Sequence, residues 1–416
     1  MSRILHRLKS FVKDRLRGAM PQREILTIAY YPQFDSSEEY TNHYYRACWY
    51  FPTTDIMNIT VTFPISNTVT LLDIPDYFDD AIQDYDAGHI NTTTPDSDHF
   101  YAGADVILLW QSPSEKELKE LKEKFNNKRI YTVATACLNA KEFGQYPRVL
   151  WDNLDYKRKR TTLIESEKLF RQHIQHYKQV SSSDTAFIIG TGPSVDQIFD
   201  HDLSDHFVIG CNSVVKSQDL IQHCGFDIIC AGDVVSHFSP CQYAAVFRRD
   251  LKAFLAHSDG LFFTTALFGY LLWVRWPELR HKIILCEQDL DKPNVDLMSH
   301  WGLPKLDSVL NIHMLPIAST VARHLTLIGF DGKSANKEDN EDFWGHSSSA
   351  QYHEFVETGH AMHPTFDTLR QQTTENRFIQ STAYSVDVLK MSGKRLRSLA
   401  PSHTPAINQL YDTTDS

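Results

Sequence analysis

The chain has 416 residues, a formal net charge of −11 and 42% hydrophobic residues. This composition indicates an ordinary globular protein that is too long for one hydrophobic core. The acidic balance excludes a general nucleic-acid binder, because the neutralisation of phosphates requires a basic face. The seven cysteines are scattered, with no CxxC pair, which argues against a disulfide framework or a structural zinc site and favours a reducing compartment.

Residues 1–20 are basic, against the acidic whole. Apolar residues recur at helical spacing between Ile4 and Leu16, among six Lys or Arg side chains and the single acid Asp14. Such a helix would lie on an anionic membrane surface with its apolar side down, or else dock on its own protein. No apolar run can span a bilayer, and the N-terminus lacks the apolar core of a signal peptide. We therefore predict a cytoplasmic protein, peripheral on the inner face of the cell membrane.

Residues 21–150 predict a small α/β domain. Its predicted strands are Ile25–Tyr31, Ala104–Trp110 and Arg129–Thr135, with a charged surface helix at Ser114–Phe125 and a polar loop at 86–98. No phosphate loop or catalytic cluster occurs there. Residues 151–183, rich in Lys and Arg and then helical, predict a helical connector.

Residues 184–416 alternate strands with helical segments, which predicts a Rossmann-like α/β domain with a mostly parallel sheet. Ligands bind at the carboxyl ends of the strands of such a sheet. The candidate strands are Ala186–Ile189, Phe207–Gly210, Asp227–Ala231, Leu261–Thr265, Lys282–Cys286, Leu325–Ile328 and Lys394–Leu399.

The first of these strands ends in the turn Gly190-Thr191-Gly192-Pro193-Ser194, after which apolar residues resume at helical spacing. Glycine reaches backbone angles that other residues avoid, and proline suits a first helical turn. Such a turn points backbone amides and a helix N-terminus at one spot, where phosphate binds well. The dinucleotide fingerprint and the Walker loop are both absent. The turn predicts a nucleotide ligand, or else an ordinary strand–helix connection.

Polar residues follow further strands of this domain. They are Cys211-Asn212-Ser213, Gly232-Asp233, Gly329-Phe330-Asp331-Gly332 and Pro401-Ser402. Because the carboxyl ends of parallel strands meet at one edge, we expect these residues to converge on one cleft.

A polar, acidic loop follows Gly332 and ends in Phe343-Trp344-Gly345-His346-Ser347. Its position beside the cleft favours a lid. His346 can act as a general base near neutral pH, or else be a surface or structural histidine. The spacing of His353, His360 and His363 on a predicted helix suggests a metal site, but no Cys or carboxylate pattern accompanies it. We predict no metal.

The order of these motifs resembles that of the bacterial CMP-sialic-acid-dependent sialyltransferases of the Campylobacter type. The motifs are Gly-x-Gly-Pro-Ser after the first strand, Cys-Asn after the second, Gly-Phe-Asp before a lid, Gly-His-Ser closing the lid, and Ala400-Pro401-Ser402 after the last strand. The resemblance covers residues 185–405, about half of the chain.

The resemblance implies a single nucleotide-binding domain of metal-independent transferases, with no cofactor and a CMP-activated sugar as the donor. It implies that the turn holds the phosphate and ribose, that Asn212 contacts the cytidine monophosphate or the sugar, and that Asp331 lies at the cleft floor. His346 would deprotonate the acceptor hydroxyl. The candidate binding residues are Gly190, Thr191, Gly192, Pro193, Ser194, Asn212, Asp233, Ser308, Gly329 and Asp331.

The chain departs from the family at some positions. Thr191 stands where the family usually has Asn, and Asp307-Ser308-Val309 matches the family's Thr-Ser-Gly only loosely. The tyrosines that in the family assist the departing phosphate are absent, and Lys333 stands at about that place, where it can neutralise the same charge.

The sequence thus predicts an inverting glycosyltransferase that moves a 2-keto sugar acid, such as sialic acid or Kdo, from a CMP donor to a glycan or glycolipid hydroxyl. One alternative is a Mg²⁺-dependent pyrophosphokinase resembling the archaeal pterin enzymes, with carboxylate ligands around Asp233 and Asp331. Another is a non-enzymatic nucleotide-binding membrane scaffold, in which His346 is dispensable.

Overall fold

The computed structural model describes residues 25–54, 58–94, 99–126, 128–135, 145–334, 344–364 and 375–411. The predicted membrane helix at 1–20 and most of the predicted lid lie outside these residues. The chain divides into two compact units. Among the described residues, the first unit consists of 25–74, 83–134 and 145–165. The second consists of 75–82, 135, 166–334, 344–364 and 375–411. No helix within the described ranges is long and apolar enough to span a bilayer.

The first unit is built on a five-stranded parallel sheet in the order β3-β2-β1-β4-β5. Its strands are β1 (Ile25–Tyr31), β2 (Asn58–Pro64), β3 (Ile90–Thr93), β4 (Val106–Leu109) and β5 (Arg129–Thr132). The prediction of a loop at 86–98 was wrong in part, because β3 lies within this segment. Its sequence, INTT, carries a single apolar residue, so no hydrophobic pattern marks it as a strand.

Helices connect the strands of the first unit. They are α1 (Ser37–Tyr50), α2 (His99–Ala102), α3 (Glu115–Lys124), α4 (Gln145–Asn153) and α5 (Tyr156–Val180), with a 3-10 helix at Asp80–Asp84. Helix α3 confirms the predicted surface helix. It begins with a capping box in which Ser114 and Glu117 satisfy each other's backbone amides. Helix α5 is the predicted connector, and its first ten residues belong to the first unit.

The second unit is built on a seven-stranded parallel sheet in the order β10-β9-β8-β7-β6-β13-β14, which confirms the predicted α/β class with mostly parallel strands. Its strands are β6 (Thr185–Ile189), β7 (Phe207–Cys211), β8 (Ile228–Cys230), β9 (Leu261–Thr265), β10 (Ile283–Cys286), β13 (His324–Ile328) and β14 (Arg395–Ser398). The short strands β11 (Gln288–Leu290) and β12 (Leu303–Pro304) pair separately.

The helices of the second unit after α5 are α6 (Gln218–Cys224), α7 (Gln242–His257), α8 (Ala266–Arg275), α9 (Leu315–Val321), α10 (Val356–Met362), α11 (Glu375–Met391) and α12 (Pro405–Asn408). Shorter 3-10 helices lie at Pro193–Asp200, Asn212–Lys216, Pro277–Lys282, Ser348–Ala350 and His353–Phe355, and a π-helix at Leu310–Met314 precedes α9. The helix predicted after the glycine turn is therefore a 3-10 helix.

The strand order places a topological switch point between β6 and β13 of the second sheet. From β6 the chain adds β7, β8, β9 and β10 on one side, and then returns to place β13 directly beside β6. Strands β7, β9 and β10 are buried along their whole length, as the continuous apolar runs in the sequence require. Burial of a side chain such as Ile188 or Ile209 stabilises the fold by about 1.5–3 kcal/mol.

Candidate functional site

The turns after β6 and β13 pack backbone against backbone at the switch point. The amide of Gly190 donates to the carbonyl oxygen of Ile328 (2.8 Å), and the amide of Gly192 donates to that of Gly329 (2.9 Å). A Cβ atom on Gly190 would lie 2.2 Å from the oxygen of Gly329, and one on Gly192 would lie 2.1 Å from a carboxylate oxygen of Asp331. The glycines are therefore required for close approach within the protein.

Asp331 occupies the N-terminal end of the 3-10 helix that follows the turn. The amide of Ser194 donates to its Oδ1 (3.1 Å), and the Ser194 hydroxyl donates to its Oδ2 (2.9 Å). Burial raises the pKa of Asp331, and the hydrogen bonds from Ser194 oppose that rise. The anion at this position is thus a carboxylate of the chain itself.

This arrangement corrects one expectation from the sequence. The amides of Gly190, Gly192 and Ser194, predicted to face a phosphate, each have an acceptor within the protein. A phosphate would therefore have to meet the turn through another group, such as Thr191, since Pro193 has no N–H to donate.

The segment 344–352, which we call the strap, carries His346 to the turn. Nδ1 of His346 lies 2.9 Å from the hydroxyl oxygen of Thr191. The next residue, Ser347, donates its amide to the carbonyl oxygen of Thr191 (2.9 Å). The imidazole is thereby held at the carboxyl end of β6, beside the switch point. The structure thus brings together two candidates that lie 155 residues apart in sequence.

Asp196 fixes the strap on the side of the 3-10 helix Pro193–Asp200. Its Oδ2 accepts from the hydroxyl of Ser347 (2.8 Å), and its Oδ1 accepts from that of Ser349 (2.8 Å). Ser347 is buried, whereas Asp196 is exposed. The analysis of the sequence missed Asp196, since a lone aspartate in a short helix carries no signal.

Residues after β7 fix the other end of the strap. The Ser213 hydroxyl donates to the carbonyl oxygen of Ala350, and the Lys216 ammonium group donates to the carbonyl oxygens of Ser348 (3.2 Å) and Gln351. The strap therefore bridges the ends of two neighbouring strands, β6 and β7.

Buried side chains surround the end of the strap. The fully buried Gln351 accepts from the hydroxyl of Tyr243 (2.5 Å) and from the amide of Tyr352 (2.9 Å). The Tyr352 hydroxyl donates to Asp250 (2.8 Å). Burial, followed by the nearby Asp250 carboxylate, raises the pKa of Tyr352, so this tyrosine is neutral and serves as a donor.

Two predicted binding residues have strained backbone angles. Asn212, directly after β7, has φ of +52°, and Ser308 has φ of +72°. Asparagine tolerates this region, whereas serine adopts it rarely. The side-chain oxygen of Asn212 is buried and has no hydrogen-bond partner. Such features cluster at ligand sites.

Ser308 begins the helical run 308–321, which contains the π-helix and α9. The buried Asn311 donates to the Ser308 hydroxyl (3.2 Å) and to the hydroxyl of Thr382 (3.0 Å). The side-chain oxygen of Asn311 is buried without a hydrogen-bond partner. A π-bulge at this point is consistent with a functional site, since such bulges are frequent there.

His313, on the same helix, was missed by the analysis of the sequence. Its Nε2 lies 3.1 Å from the hydroxyl oxygen of Thr265, the last residue of β9, and its ring packs against Gly232 after β8. Complete burial lowers the pKa of His313 to about 3, so its ring is neutral at physiological pH. The contact joins residues 48 apart in sequence, which no local pattern reveals.

Two further predicted site residues, Asp233 and Lys333, have partners within the protein. Asp233 accepts from the amides of Val235 (2.9 Å) and Ser236 (2.6 Å) and so closes its own turn. Lys333 pairs with Glu375 at 3.7 Å.

Of the histidines that follow the strap, His360 has an ion-pair partner on its own helix. His360 pairs with Glu357 at 3.7 Å. Within the described part of the chain, no group of three His, Cys, Asp or Glu side chains lies close enough to hold a metal ion.

Comparison with known proteins gives one structural similarity. No family profile and no curated protein matches the chain in sequence. A solved sialyltransferase from Campylobacter jejuni, determined in complex with a substrate analogue, cytidine-5'-monophosphate, is 13% identical. The match covers 55% of this chain and 88% of that chain, with a TM-score of 0.30. A similarity at this level does not define a common site.

Proposed function

We propose that the second unit is an inverting glycosyltransferase that moves a 2-keto sugar acid from a CMP-activated donor to a hydroxyl of a glycan or glycolipid. The observation that carries the proposal is the contact between His346 and Thr191. It holds an imidazole at the carboxyl end of β6, at the edge where parallel sheets bind ligands.

In the proposed reaction, the acceptor oxygen attacks the anomeric carbon of the sugar acid as the bond from that carbon to the CMP phosphate oxygen breaks. The bonding electrons leave with CMP, and the acceptor proton passes to His346. When Nδ1–H of His346 donates to the Thr191 hydroxyl, Nε2 carries the lone pair and is the base. The contact with Thr191 also holds the ring in a fixed position, with Nε2 available to the acceptor.

The groups proposed to bind the donor are those whose geometry lacks a structural explanation. Asn212 presents a buried oxygen without a hydrogen-bond partner at a positive φ, and Ser308 opens a helical run at a positive φ. Lys333, although paired with Glu375 at 3.7 Å, supplies positive charge for the departing phosphate. No metal ion is required for these roles, because CMP is already a good leaving group.

Thermal unfolding with nucleotides tests the donor. CMP should raise the unfolding temperature in the presence of EDTA, since a ligand that binds only the folded state stabilises it. UDP, GDP and ATP should raise it less. Stabilisation by ATP alone, lost with EDTA, would favour the pyrophosphokinase. The carboxylates of Asp233 and Asp331, the predicted metal ligands of that enzyme, are hydrogen-bonded to amides of neighbouring turns.

Replacement of His346 tests the base. His346→Ala should lower transfer by about a hundred- to ten-thousandfold, the usual scale of general base catalysis, with CMP affinity nearly unchanged. Thr191→Val should lower it less, because the base remains but its ring loses the hydrogen bond that holds it in position. His360→Ala is the matched control, since His360 pairs with Glu357 at 3.7 Å and should not affect transfer. Wild-type turnover by His346→Ala would instead support the scaffold alternative.

A further inference from the structure

The first unit contains a second switch point. In the order β3-β2-β1-β4-β5, the chain runs from β1 to β2 and β3 on one side and then crosses to β4 on the other. The carboxyl ends of β1 and β4 therefore flank the crevice in which a doubly wound sheet binds ligands.

Trp110 lies at the carboxyl end of β4, beside this switch point. It follows β4 directly, and its indole N–H donates to the carbonyl oxygen of Pro32, just after β1 (2.8 Å). Its ring stacks on the fully buried Phe34, with the centroids 4.5 Å apart and the planes 13° apart. Trp110 itself is only half-buried. The contacts immobilise a large aromatic ring that remains partly accessible at the ligand-binding edge.

The described loops at this edge carry amides and hydroxyls but no lysine, arginine or glycine. They are residues 32–37 (PQFDSS), 65–70 (ISNTVT), 94 (T), 110–114 (WQSPS) and 133–135 (VAT). Phosphate sites are built from glycine-rich turns and basic side chains. The described loops of this edge contain neither glycine-rich turns nor basic side chains.

The start of α1 also disfavours an anion. Its amide end is already capped by Ser36, whose hydroxyl oxygen accepts from the amide of Glu39 (3.3 Å), and Glu38 and Glu39 stand exposed in the first turn. Asp35 precedes them and is exposed as well. These negative charges repel phosphate and carboxylate groups. These features disfavour an anion, and the hydroxyl and amide side chains of the loops together with the indole ring match a ligand that has hydroxyls and an apolar face.

We propose that the carboxyl edge of the first unit binds a neutral carbohydrate, with Trp110 as the stacking platform and Gln33 and Gln111 as hydrogen-bonding side chains. Ligand sites combine aromatic surface with a small number of polar groups, and a sugar ring matches both. The proposal rests on the proposed function only in assigning this carbohydrate the role of acceptor. The binding itself is independent of any donor.

Isothermal titration of the full chain with lactose, cellotetraose and chitotetraose tests the site, with CMP and donor left out. At least one of the saccharides should bind, and Trp110→Ala should weaken that binding by about tenfold or more, with Trp110→Phe intermediate. Gln111→Ala, at an exposed position, should weaken it without disturbing the fold. Trp273→Ala is the control, since Trp273 is a half-buried tryptophan of the second unit that stacks on Tyr270.

The proposal is overturned if none of the three saccharides releases heat. It is also overturned if binding persists unchanged in Trp110→Phe and Gln111→Ala, or if CMP displaces the saccharide. A failure of CMP to stabilise the protein would refute the proposed donor and leave the saccharide result intact, so the two proposals fail separately.

Discussion

Asp196 should determine how firmly the strap holds His346. Its carboxylate accepts hydrogen bonds from the hydroxyls of Ser347 and Ser349, both at 2.8 Å. A bond to a charged acceptor contributes about 1.5–3 kcal/mol when buried, and we take about 1 kcal/mol for each because Asp196 is exposed. Asp196→Ala should then weaken the attachment of the strap by about 2 kcal/mol, which is roughly a thirtyfold change in its opening equilibrium.

Hydrogen exchange measured on a peptide that covers the strap reports this opening directly, because the amide of Ser347 is protected by the carbonyl oxygen of Thr191. Exchange at Ser347 should accelerate by about thirtyfold in Asp196→Ala and by less in Asp196→Asn, which keeps one acceptor. Asp200→Ala is the matched control, since Asp200 is exposed at the end of the same 3-10 helix. Equal exchange in the wild type and Asp196→Ala would refute the reasoning.

Burial raises the pKa of Asp227 in the folded protein from 3.8 to about 7. The folded state therefore binds a proton that the unfolded state has lost, and the free energy of unfolding falls by at most roughly 4 kcal/mol as the pH rises through that interval. In urea unfolding, Asp227→Asn should therefore gain stability relative to the wild type between pH 4 and pH 7, and a constant difference would contradict this. Gly192→Ala should destabilise the second unit by about 1–3 kcal/mol, because its Cβ would lie 2.1 Å from Asp331, whereas Gly359→Ala meets no atom within 4 Å and should be neutral or stabilising. Deletion of residues 1–20 should release the protein from anionic vesicles without changing CMP binding, and a truncated protein that still pellets with them would show that the helix is structural.

The strands of the second sheet could be predicted because each is a short apolar run bounded by polar residues. The predicted strand at 261–265 and the observed β9 agree at both ends, and the others differ by one or two residues. Helix α1 was not predicted, because its fourteen residues are rich in Tyr and Trp, which favour strands, and only tertiary packing makes them helical. Its buried His43 lies 2.7 Å from the hydroxyl of Tyr146, 103 residues away in sequence.

The site was harder to predict than the fold, since its geometry depends on contacts between distant residues. The sequence marks the glycine turn and His346, but it does not reveal that Asp331 accepts from the amide of Ser194 at 3.1 Å. The glycines of the turn were interpreted as residues that expose backbone amides to a phosphate. In the structure they allow two turns to pack closely, with 2.9 Å between the amide nitrogen of Gly192 and the carbonyl oxygen of Gly329. A glycine-rich turn is thus insufficient to assign a phosphate site until the acceptors of its amides are known.

The two sheets have the same topology but different residues in the connections that follow their strands. Both are parallel, and in both the chain places later strands on either side of the first one, so topology alone would assign each the same kind of site. In the second unit His346 contacts Thr191 after β6, and Asn212 after β7 has a positive φ. In the first unit the connection after β1 lacks glycine, ends in a capped helix with exposed acids, and faces a fixed tryptophan. The physical difference lies in which side chains remain for a ligand once the backbone amides are satisfied: Asn212 and His346 in the second unit, and Trp110 beside exposed acids in the first.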